Sequence, residues 1–210
     1  MRTGDEIEVK ERLSTSADLI KVREALGGKP KHVEHQENYF FDGKAGNLAS
    51  KRSSVRLRFI DGERCLVTVK ESSVLSGGVN VAKETEEFVD FSSAKKTTER
   101  GFESTVFTVS HVAADALRRS GVTEADLCCI GMFKTTREAF DFDKEDDPHT
   151  LELDISDFGF AVAWEIEIET IKPKATALRA KLEKFLDHLG VSHRSSKKTK
   201  LACLVTKSID

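Results

Sequence analysis

The opening segment of the chain places carboxylates and cations on one face of an extended stretch. Glu6, Glu8, Lys10 and Arg12 occupy every second position. The apolar residues between and after them are Ile7, Val9 and Leu13. An alternation with a period of two predicts a half-buried β-strand. Carboxylate oxygens suit a divalent cation, and Lys and Arg suit an anion, so this face could hold a metal at one end and an anion at the other.

The same arrangement of charges recurs along the chain. Further charged residues lie at alternate positions of strand-like segments: Arg56 and Arg58, Lys70, Glu84 and Glu86, Glu152 and Asp154, and Glu165, Glu167 and Glu169. For any single strand, a solvated and salt-bridged face is the more common explanation. Like charges that share a face destabilise it unless they are paired, hydrated or bound to ions. The repetition of this pattern from strand to strand therefore favours a ligand.

The elements that must position these charges are mainly strands. The Asp61-Gly62 dipeptide between two alternating segments predicts a hairpin, and no βαβ rhythm is present. We expect roughly eight strands and three helices, with a last strand at about Lys200–Thr206. Eight antiparallel strands can close into a barrel that has no exposed edges. The predicted fold is α+β and β-dominated: a closed eight-stranded antiparallel β-barrel with helices packed outside, formed by a single domain over residues 1–210.

Local signals place the helices and turns. Ser16 is predicted to cap a helix that ends at Gly27-Gly28, and Pro173 to begin another helix. The stretch Ser72–Gly78 is rich in Ser and Gly, which predicts a mobile loop. Asp146-Asp147-Pro148 is predicted to form a turn.

Composition and charge exclude several classes of protein. The 210 residues carry a net charge of −3, so no global basic excess indicates binding to nucleic acid or to an anionic membrane. The four cysteines include no CxxC pair, which indicates reduced thiols. No apolar segment approaches the length of a membrane span, the N-terminus lacks the apolar core of a signal peptide, and no GxxxxGK[ST] loop occurs. We expect a cytoplasmic monomer.

If the predicted sheet closes, the charged faces line its interior. Unpaired charges in a confined space are costly, so the interior must pair them, hydrate them or bind ions. Clustered carboxylates suit Mg²⁺ or Mn²⁺, and converging Arg and Lys side chains suit phosphate. Together these residues predict a site for a small metal-complexed polyphosphate.

The ordered set of motifs resembles the CYTH superfamily, the triphosphate tunnel metalloenzymes. The motifs are Glu6-x-Glu8-x-Lys10, Tyr39-Phe40-Phe41-Asp42, Arg56-x-Arg58, Lys70, Glu84-x-Glu86, Arg137, Glu152-x-Asp154, Glu165-x-Glu167 and Thr199-Lys200. They extend over nearly the whole chain, in an order and spacing most similar to the small plant-type single-domain tripolyphosphatases. The resemblance implies a closed tunnel of eight antiparallel strands, a triphosphate substrate and dependence on Mg²⁺ or Mn²⁺.

The resemblance also implies a role for each charged residue. The metal on the triphosphate would be held by Glu6, Glu8 and one or both of Glu165 and Glu167. Phosphate oxygens would be bound by Lys10, Arg56, Arg58, Lys70, Arg137 and Lys200. A second metal or the attacking water would be held by the catalytic carboxylates Glu84, Glu86, Glu152 and Asp154. Glu87 leaves a shift of one residue open for the Glu84–Glu86 pair.

The group attached to the triphosphate is left open by these motifs. Hydrolysis of inorganic tripolyphosphate to pyrophosphate and orthophosphate is the function that the resemblance favours. The alternatives are a thiamine triphosphatase, an adenylyl cyclase that converts ATP to cAMP and pyrophosphate, and a non-catalytic polyphosphate-binding module. The complete set of charged motifs argues against the non-catalytic module.

Overall fold

A computed structural model describes residues 1–143 and 147–209, and over these residues nine strands form one sheet. The strands are β1 Arg2–Leu13, β2 His32–Gly43, β3 Ser54–Ile60, β4 Arg64–Ser76, β5 Val79–Val89, β6 Leu127–Phe142, β7 His149–Asp157, β8 Val162–Thr170 and β9 His193–Ser195. Their order is β5-β4-β3-β2-β6-β7-β8-β1-β9, and β5 also pairs with β1. This pairing closes eight strands into an antiparallel barrel, with β9 as an additional strand, and confirms the predicted fold.

Six α-helices lie in the same described residues. They are α1 Ser16–Ala25, α2 Phe91–Lys96, α3 Val106–Val109, α4 His111–Arg119, α5 Ala175–His188 and α6 Lys200–Thr206. Within residues 1–143 and 147–209, none of the helices combines the length and the apolar character needed to cross a membrane.

The chain divides into two compact units, each with its own apolar cluster. The first unit comprises Met1–Asp5, His35–Val74 and Ala82–Lys134. In it, the apolar face of β3 and β4 packs against α2, α3 and α4 through residues such as Leu57, Val67, Phe107 and Leu117. The alternation of these strands puts Arg56, Arg58 and Lys70 on the face opposite that cluster.

The second unit comprises Glu6–Glu34, Leu75–Val81 and the chain from Thr135 onward. The apolar face of β1, β7 and β8 packs against α1 and α5, with Val9, Leu153 and Ile166 of the strands meeting Val22 and Leu182 of the helices. Helices α1 and α5 thus cover the apolar face of these strands, in agreement with the predicted packing of helices outside the sheet. That the whole chain forms one domain remains a prediction.

The predicted last strand is wrong, because residues Lys200–Thr206 form helix α6. The Thr199 side chain accepts a hydrogen bond from the backbone N–H of Ala202, which caps the helix start. Residues 201–205 are all apolar, so their pattern shows neither the period of a strand nor that of a helix. Such a short run is compatible with a strand or with a helix.

Several smaller local predictions also need correction. The stretch Ser72–Gly78 is not a loop throughout, because β4 continues to Ser76 and only Gly77-Gly78 form the turn into β5. Helix α1 is capped by Thr15 instead of Ser16, since Thr15 and Asp18 form a reciprocal capping box. Helix α5 begins two residues after Pro173. The predicted turn at Asp146-Asp147-Pro148 begins outside the described residues.

Candidate active site

Strand register in the second unit sets two rows of charged side chains side by side. Strand β8 pairs with β7 on one side and with β1 on the other, in antiparallel register. The rows across β7, β8 and β1 are Glu152–Glu167–Lys10 and Asp154–Glu165–Arg12. In each row, two carboxylates therefore lie directly opposite each other on β7 and β8. This arrangement is destabilising unless cations compensate the charges.

Arg137 of β6 compensates three of these carboxylates with one guanidinium. Its Nε lies 2.8 Å from Asp154 Oδ1, and its Nη2 lies 2.6 Å from both Asp154 Oδ2 and Glu167 Oε2. Its Nη1 forms an ion pair with Glu152. The planar fork of an arginine suits such multiple contacts with carboxylates, and suits phosphate oxygens equally.

Two lysines reach the same carboxylates from other elements. Lys10 Nζ of β1 lies 2.5 Å from Glu167 Oε1 and 2.8 Å from Glu8 Oε2. Lys200 Nζ, at the start of α6, lies 2.8 Å from Glu167 Oε1 and also pairs with Asp154. Three cations thus converge on Glu167, whose side chain is only 4% exposed. We call Glu8, Lys10, Arg137, Glu152, Asp154, Glu165, Glu167 and Lys200 the charged cluster.

Ion pairs outweigh burial in setting the pKa values of Lys10, Asp154 and Glu167 in the charged cluster. Burial by itself lowers the pKa of Lys10, but Glu167, Glu8 and Glu165 outweigh it and raise that pKa well above its usual range. Burial raises the pKa of Glu167, but Lys10, Lys200 and Arg137 outweigh it and hold that pKa well below its usual range. The pKa of Asp154 is lowered in the same way, against its burial, by Arg137 and Lys200. These groups are therefore ionised at neutral pH.

Glu152 differs from its neighbours in the charged cluster. Burial, which Arg137 opposes only in part, and the nearby carboxylates raise the pKa of Glu152 to about 7. A carboxyl group with a pKa near the working pH can accept and release a proton, as general acid–base catalysis requires.

Arg12 is buried among protein groups. Its side chain is 1% exposed, and its Nη2 lies 2.7 Å from Glu165 Oε1. Its Nη1 donates to the backbone carbonyl of Ile209. Ser196 Oγ donates to the same Glu165 oxygen at 2.7 Å. Arg12 therefore pairs with Glu165 and ties β1 to the C-terminal segment.

A second set of predicted site residues lies in the first unit. Lys70 Nζ is 3.0 Å from Glu84 Oε2. Arg56 Nη2 donates to Thr68 Oγ1 at 3.0 Å, and Thr68 Oγ1 donates to Glu86 Oε1 at 3.2 Å. The structure thus brings β3, β4 and β5 side chains together as a mixed set of carboxylates and cations.

The contacts of Arg58 and Glu87 and the pKa shifts of Glu84 and Glu86 complete the description of this set. Arg58 Nε donates to Asn38 Oδ1 at 3.0 Å. Burial raises the pKa of Glu84, but Lys70 and Arg56 outweigh it and lower that pKa, while burial and Glu84 together raise the pKa of Glu86. Glu87 instead accepts hydrogen bonds from the Ser110 hydroxyl and the Val112 backbone N–H at the start of α4. The side chains that share the Arg56 and Lys70 face are therefore those of Glu84 and Glu86.

The predicted metal ligands fit a hard divalent cation in donor type, since all are carboxylates. Within residues 1–143 and 147–209, however, no group of three or more His, Cys, Asp or Glu side chains is arranged to hold a metal ion. Glu8 and Glu167 are paired with Lys10, and Glu165 with Arg12. Glu6 lies half-buried on β1. The oxygens suit a metal, and protein cations contact Glu8, Glu165 and Glu167.

Comparison with known proteins identifies the family. Residues 4–201 match the CYTH domain. The chain belongs to the CYTH family. No curated protein sequence matches it significantly. Among solved structures, this CYTH chain is similar to HpAC1 from Hippeastrum, a candidate adenylyl cyclase with a dominant triphosphatase activity. The identity is 29%, the TM-score 0.86, and the match covers 97% of this chain and 96% of that one.

Two more distant structures share the fold of this CYTH protein. A candidate adenylate cyclase from Bacillus halodurans is 23% identical with a TM-score of 0.71, and the match covers 94% of this chain and 97% of that one. PH1819 from Pyrococcus horikoshii is 20% identical with a TM-score of 0.61, and the match covers 95% of this chain and 99% of that one. At these identities the likeness establishes the fold alone.

Sequence reasoning missed two polar neutral side chains that contact the predicted site residues. Thr68 bridges Arg56 and Glu86, and Ser196 binds Glu165. Thr68 lies two residues from Lys70 on the same face of β4, so parity along that strand could have found it. No local pattern marks Ser196, because its partner is 31 residues away.

Proposed function

We propose that this CYTH protein hydrolyses inorganic tripolyphosphate to pyrophosphate and orthophosphate with the help of Mg²⁺ or Mn²⁺. The observation that carries the proposal is the convergence of Lys10, Arg137 and Lys200 on the buried carboxylates Glu167 and Asp154. The dominant triphosphatase activity described for HpAC1 supports the reaction class. A small-molecule substrate, a monomer and a cytoplasmic location are part of the same proposal.

The cations would bind the phosphate oxygens. Phosphoryl transfer requires positioning and neutralisation of charge on the equatorial oxygens more than covalent assistance. The carboxylates hold Lys10, Arg137 and Lys200 in place before substrate arrives, so little reorganisation is needed at the reacting group. Arg137 would contribute a bidentate contact, while each lysine would contribute a point charge.

Glu6, Glu8, Glu165 and Glu167 would hold the divalent metal. A bound metal supplies charge neutralisation at the phosphates and lowers the pKa of a coordinated water. Among the carboxylates that are not proposed as ligands, Glu152 is the best proton acceptor, because its pKa is about 7. Asp154 would keep Arg137 and Lys200 oriented.

The proposal also gives phosphate-binding and carboxylate roles to residues within the first unit. Arg56, Arg58 and Lys70 are the cations, and Glu84 and Glu86 are the carboxylates. The opposite pKa shifts of these two carboxylates are typical of a pair that binds one proton between them. Such a pair would serve as a second metal site or would orient water.

An adenylyl cyclase or a thiamine triphosphatase is the second candidate. The observation in favour of the cyclase is that HpAC1 carries a candidate cyclase name beside its triphosphatase activity. Both alternatives use the same triphosphate chemistry and differ in the group attached to it.

Product analysis separates these reactions. The protein would be incubated with tripolyphosphate, thiamine triphosphate and ATP, each with Mg²⁺ or Mn²⁺, and orthophosphate, pyrophosphate and cAMP would be measured separately. We expect orthophosphate mainly from tripolyphosphate. Pyrophosphate with cAMP from ATP would establish the cyclase instead, and binding without product would leave only a polyphosphate-binding module.

A matched pair of variants shows whether the charged cluster carries the reaction. Lys200→Met removes one converging cation and should reduce kcat/KM for tripolyphosphate by about 100-fold. Arg23→Gln removes the cation that pairs with Glu138 outside the charged cluster, and should leave kcat/KM unchanged. Equal effects of the two substitutions would contradict the proposed site.

A further inference from the structure

Glu11 is a buried carboxylate on the apolar face of β1. It lies between Val9 and Leu13, which belong to the apolar cluster beneath α1 and α5. Its residue is 1% exposed, although the charged cluster faces the other side of the strand. A buried carboxylate is costly unless charged or hydrogen-bonded partners compensate it. Its partners therefore indicate why a carboxylate is tolerated there.

The partners of Glu11 come from β9 and α5. Ser195 Oγ donates to Glu11 Oε1 at 2.9 Å, and His193 Nδ1 lies 3.1 Å from Glu11 Oε2. Arg179 Nε of α5 lies 3.7 Å from Glu11 Oε1, and Arg179 Nη2 donates to Ser195 Oγ at 2.8 Å. His193 Nε2 also lies 3.2 Å from Asp187 Oδ1 of α5. Glu11 thus contacts side chains of both β9 and α5.

Strand β9 leads directly into residues of the charged cluster. Ser196, the next residue, donates its hydroxyl to Glu165 at 2.7 Å. Lys200, four residues further on, contacts Glu167 at 2.8 Å. The segment 193–200 therefore has one end attached to Glu11 and the other among the carboxylates of the charged cluster.

Strand β9 is only three residues long. A strand of that length at the end of a sheet is held weakly by its backbone pairing alone. The Gly77-Gly78 turn closes over it: a Cβ at Gly78 would lie 3.1 Å from Ser195 Cβ and 3.0 Å from the Lys10 carbonyl oxygen. The lack of a side chain at Gly78 thus leaves the room in which Ser195 reaches Glu11.

We propose that Glu11 is a positioning residue that holds Ser196 and Lys200 against the charged cluster by anchoring β9 through Ser195 and His193. The proposal rests on the proposed function for its kinetic readout. It assigns a role in substrate binding to a residue that points away from the substrate-binding face.

A double-mutant cycle tests the proposal. Glu11→Ala should lower kcat/KM for tripolyphosphate by about 10-fold in the otherwise unchanged protein, and by less than about 2-fold in a Lys200→Met background. The reason is that Glu11 acts through Lys200. A general loss of stability would instead reduce kcat/KM by the same factor in both backgrounds. Glu11→Gln keeps an oxygen that accepts from Ser195 and should recover most of the loss. Full additivity, or no recovery with Gln, would overturn the proposal.

Hydrogen exchange gives a readout that does not depend on turnover. Backbone amides of residues 193–196, which lie in β9 or donate to the Lys10 carbonyl, should exchange about 10-fold faster in Glu11→Ala, or in Ser195→Ala if the first variant does not fold. Glu138→Gln, which removes a half-buried strand–helix ion pair with Arg23, is the matched control and should leave these amides unchanged. Unchanged exchange in both test variants would refute the anchoring role. A wild-type protein that turns over no triphosphate would refute the proposed function, while the exchange data would still decide the role of Glu11.

Discussion

Replacing Arg137 by Gln tests whether the carboxylates of the charged cluster depend on this cation. The guanidinium contacts three carboxylates, and its side chain is 14% exposed. Removing one partner from a buried ion pair costs about 3–5 kcal/mol, because the remaining charge loses its compensation. The size of the loss depends on what each carboxylate retains.

The contacts place the expected loss at the lower end of that range. Asp154 keeps Lys200, and Glu167 keeps both Lys10 and Lys200. Glu152, with a pKa of about 7, can take up a proton when Arg137 is lost. We therefore expect Arg137→Gln to lower the free energy of unfolding by about 3 kcal/mol at pH 7, which corresponds to a melting temperature about 6–12 °C lower.

The loss should depend on pH in a defined direction. Arg137 helps to hold the pKa of Asp154 and Glu167 below their values in the unfolded chain. That contribution is fully present above the unfolded pKa values and disappears as pH falls through the folded ones. The difference between the variant and the wild type should therefore fall slightly between about pH 7 and pH 6, as Glu152 takes up its proton, stay constant to about pH 5, and shrink further below about pH 4.

Urea unfolding at several pH values measures this difference. Arg23→Gln is the matched control, because Arg23 pairs with Glu138 at 2.7 Å but is 27% exposed, and its loss should cost about 1 kcal/mol or less. An Arg137→Gln loss no larger than that of the control would refute the reasoning. A difference that is the same at pH 3 as at pH 7 would refute the assignment to ionised carboxylates.

Three further outcomes are expected. The kcat for tripolyphosphate should rise through about pH 7 as Glu152 loses its proton, and Glu152→Gln should flatten that profile; an unchanged profile would exclude Glu152 as the base. EDTA should abolish turnover and added Mg²⁺ or Mn²⁺ should restore it, while Glu8→Ala should lose turnover and keep its melting temperature; EDTA-resistant hydrolysis would contradict the metal proposal. Gly78→Ala should destabilise the protein by about 2–3 kcal/mol in thermal unfolding. Its φ is +74° and the new Cβ would lie 3.0 Å from the Lys10 carbonyl, whereas the control Gly62→Ala, at φ +71° with open space, should cost about 1 kcal/mol.

The strands and their charged faces could be predicted from the sequence because alternation is a local property. In β1, the positions of Glu6, Glu8 and Lys10 on one face follow from side-chain direction alone. The turn at Asp61-Gly62 between β3 and β4 also follows from two residues, both of which have positive φ. The charged motifs and their order were sufficient for the family resemblance, and the match to the CYTH domain confirms it.

Elements without a clear period could not be assigned in this way. Residues 200–206 form a continuous apolar run after Lys200, and a buried strand and a short buried helix have the same pattern over such a length. The cap at Thr199 and the packing of Cys203 decide in favour of α6.

Only the tertiary structure decided which charges meet. Arg137 contacts partners 17 and 30 residues away, the serine that holds Glu11 is 184 residues away, and Glu87 is directed to α4 by Ser110, 23 residues away. These contacts depend on strand register and on where helices pack, neither of which is encoded in a local window. The sequence by itself determined which residues carry the charge and which face of each strand they occupy, whereas the fold decided how they are paired, because pairing is set by distances across the sheet.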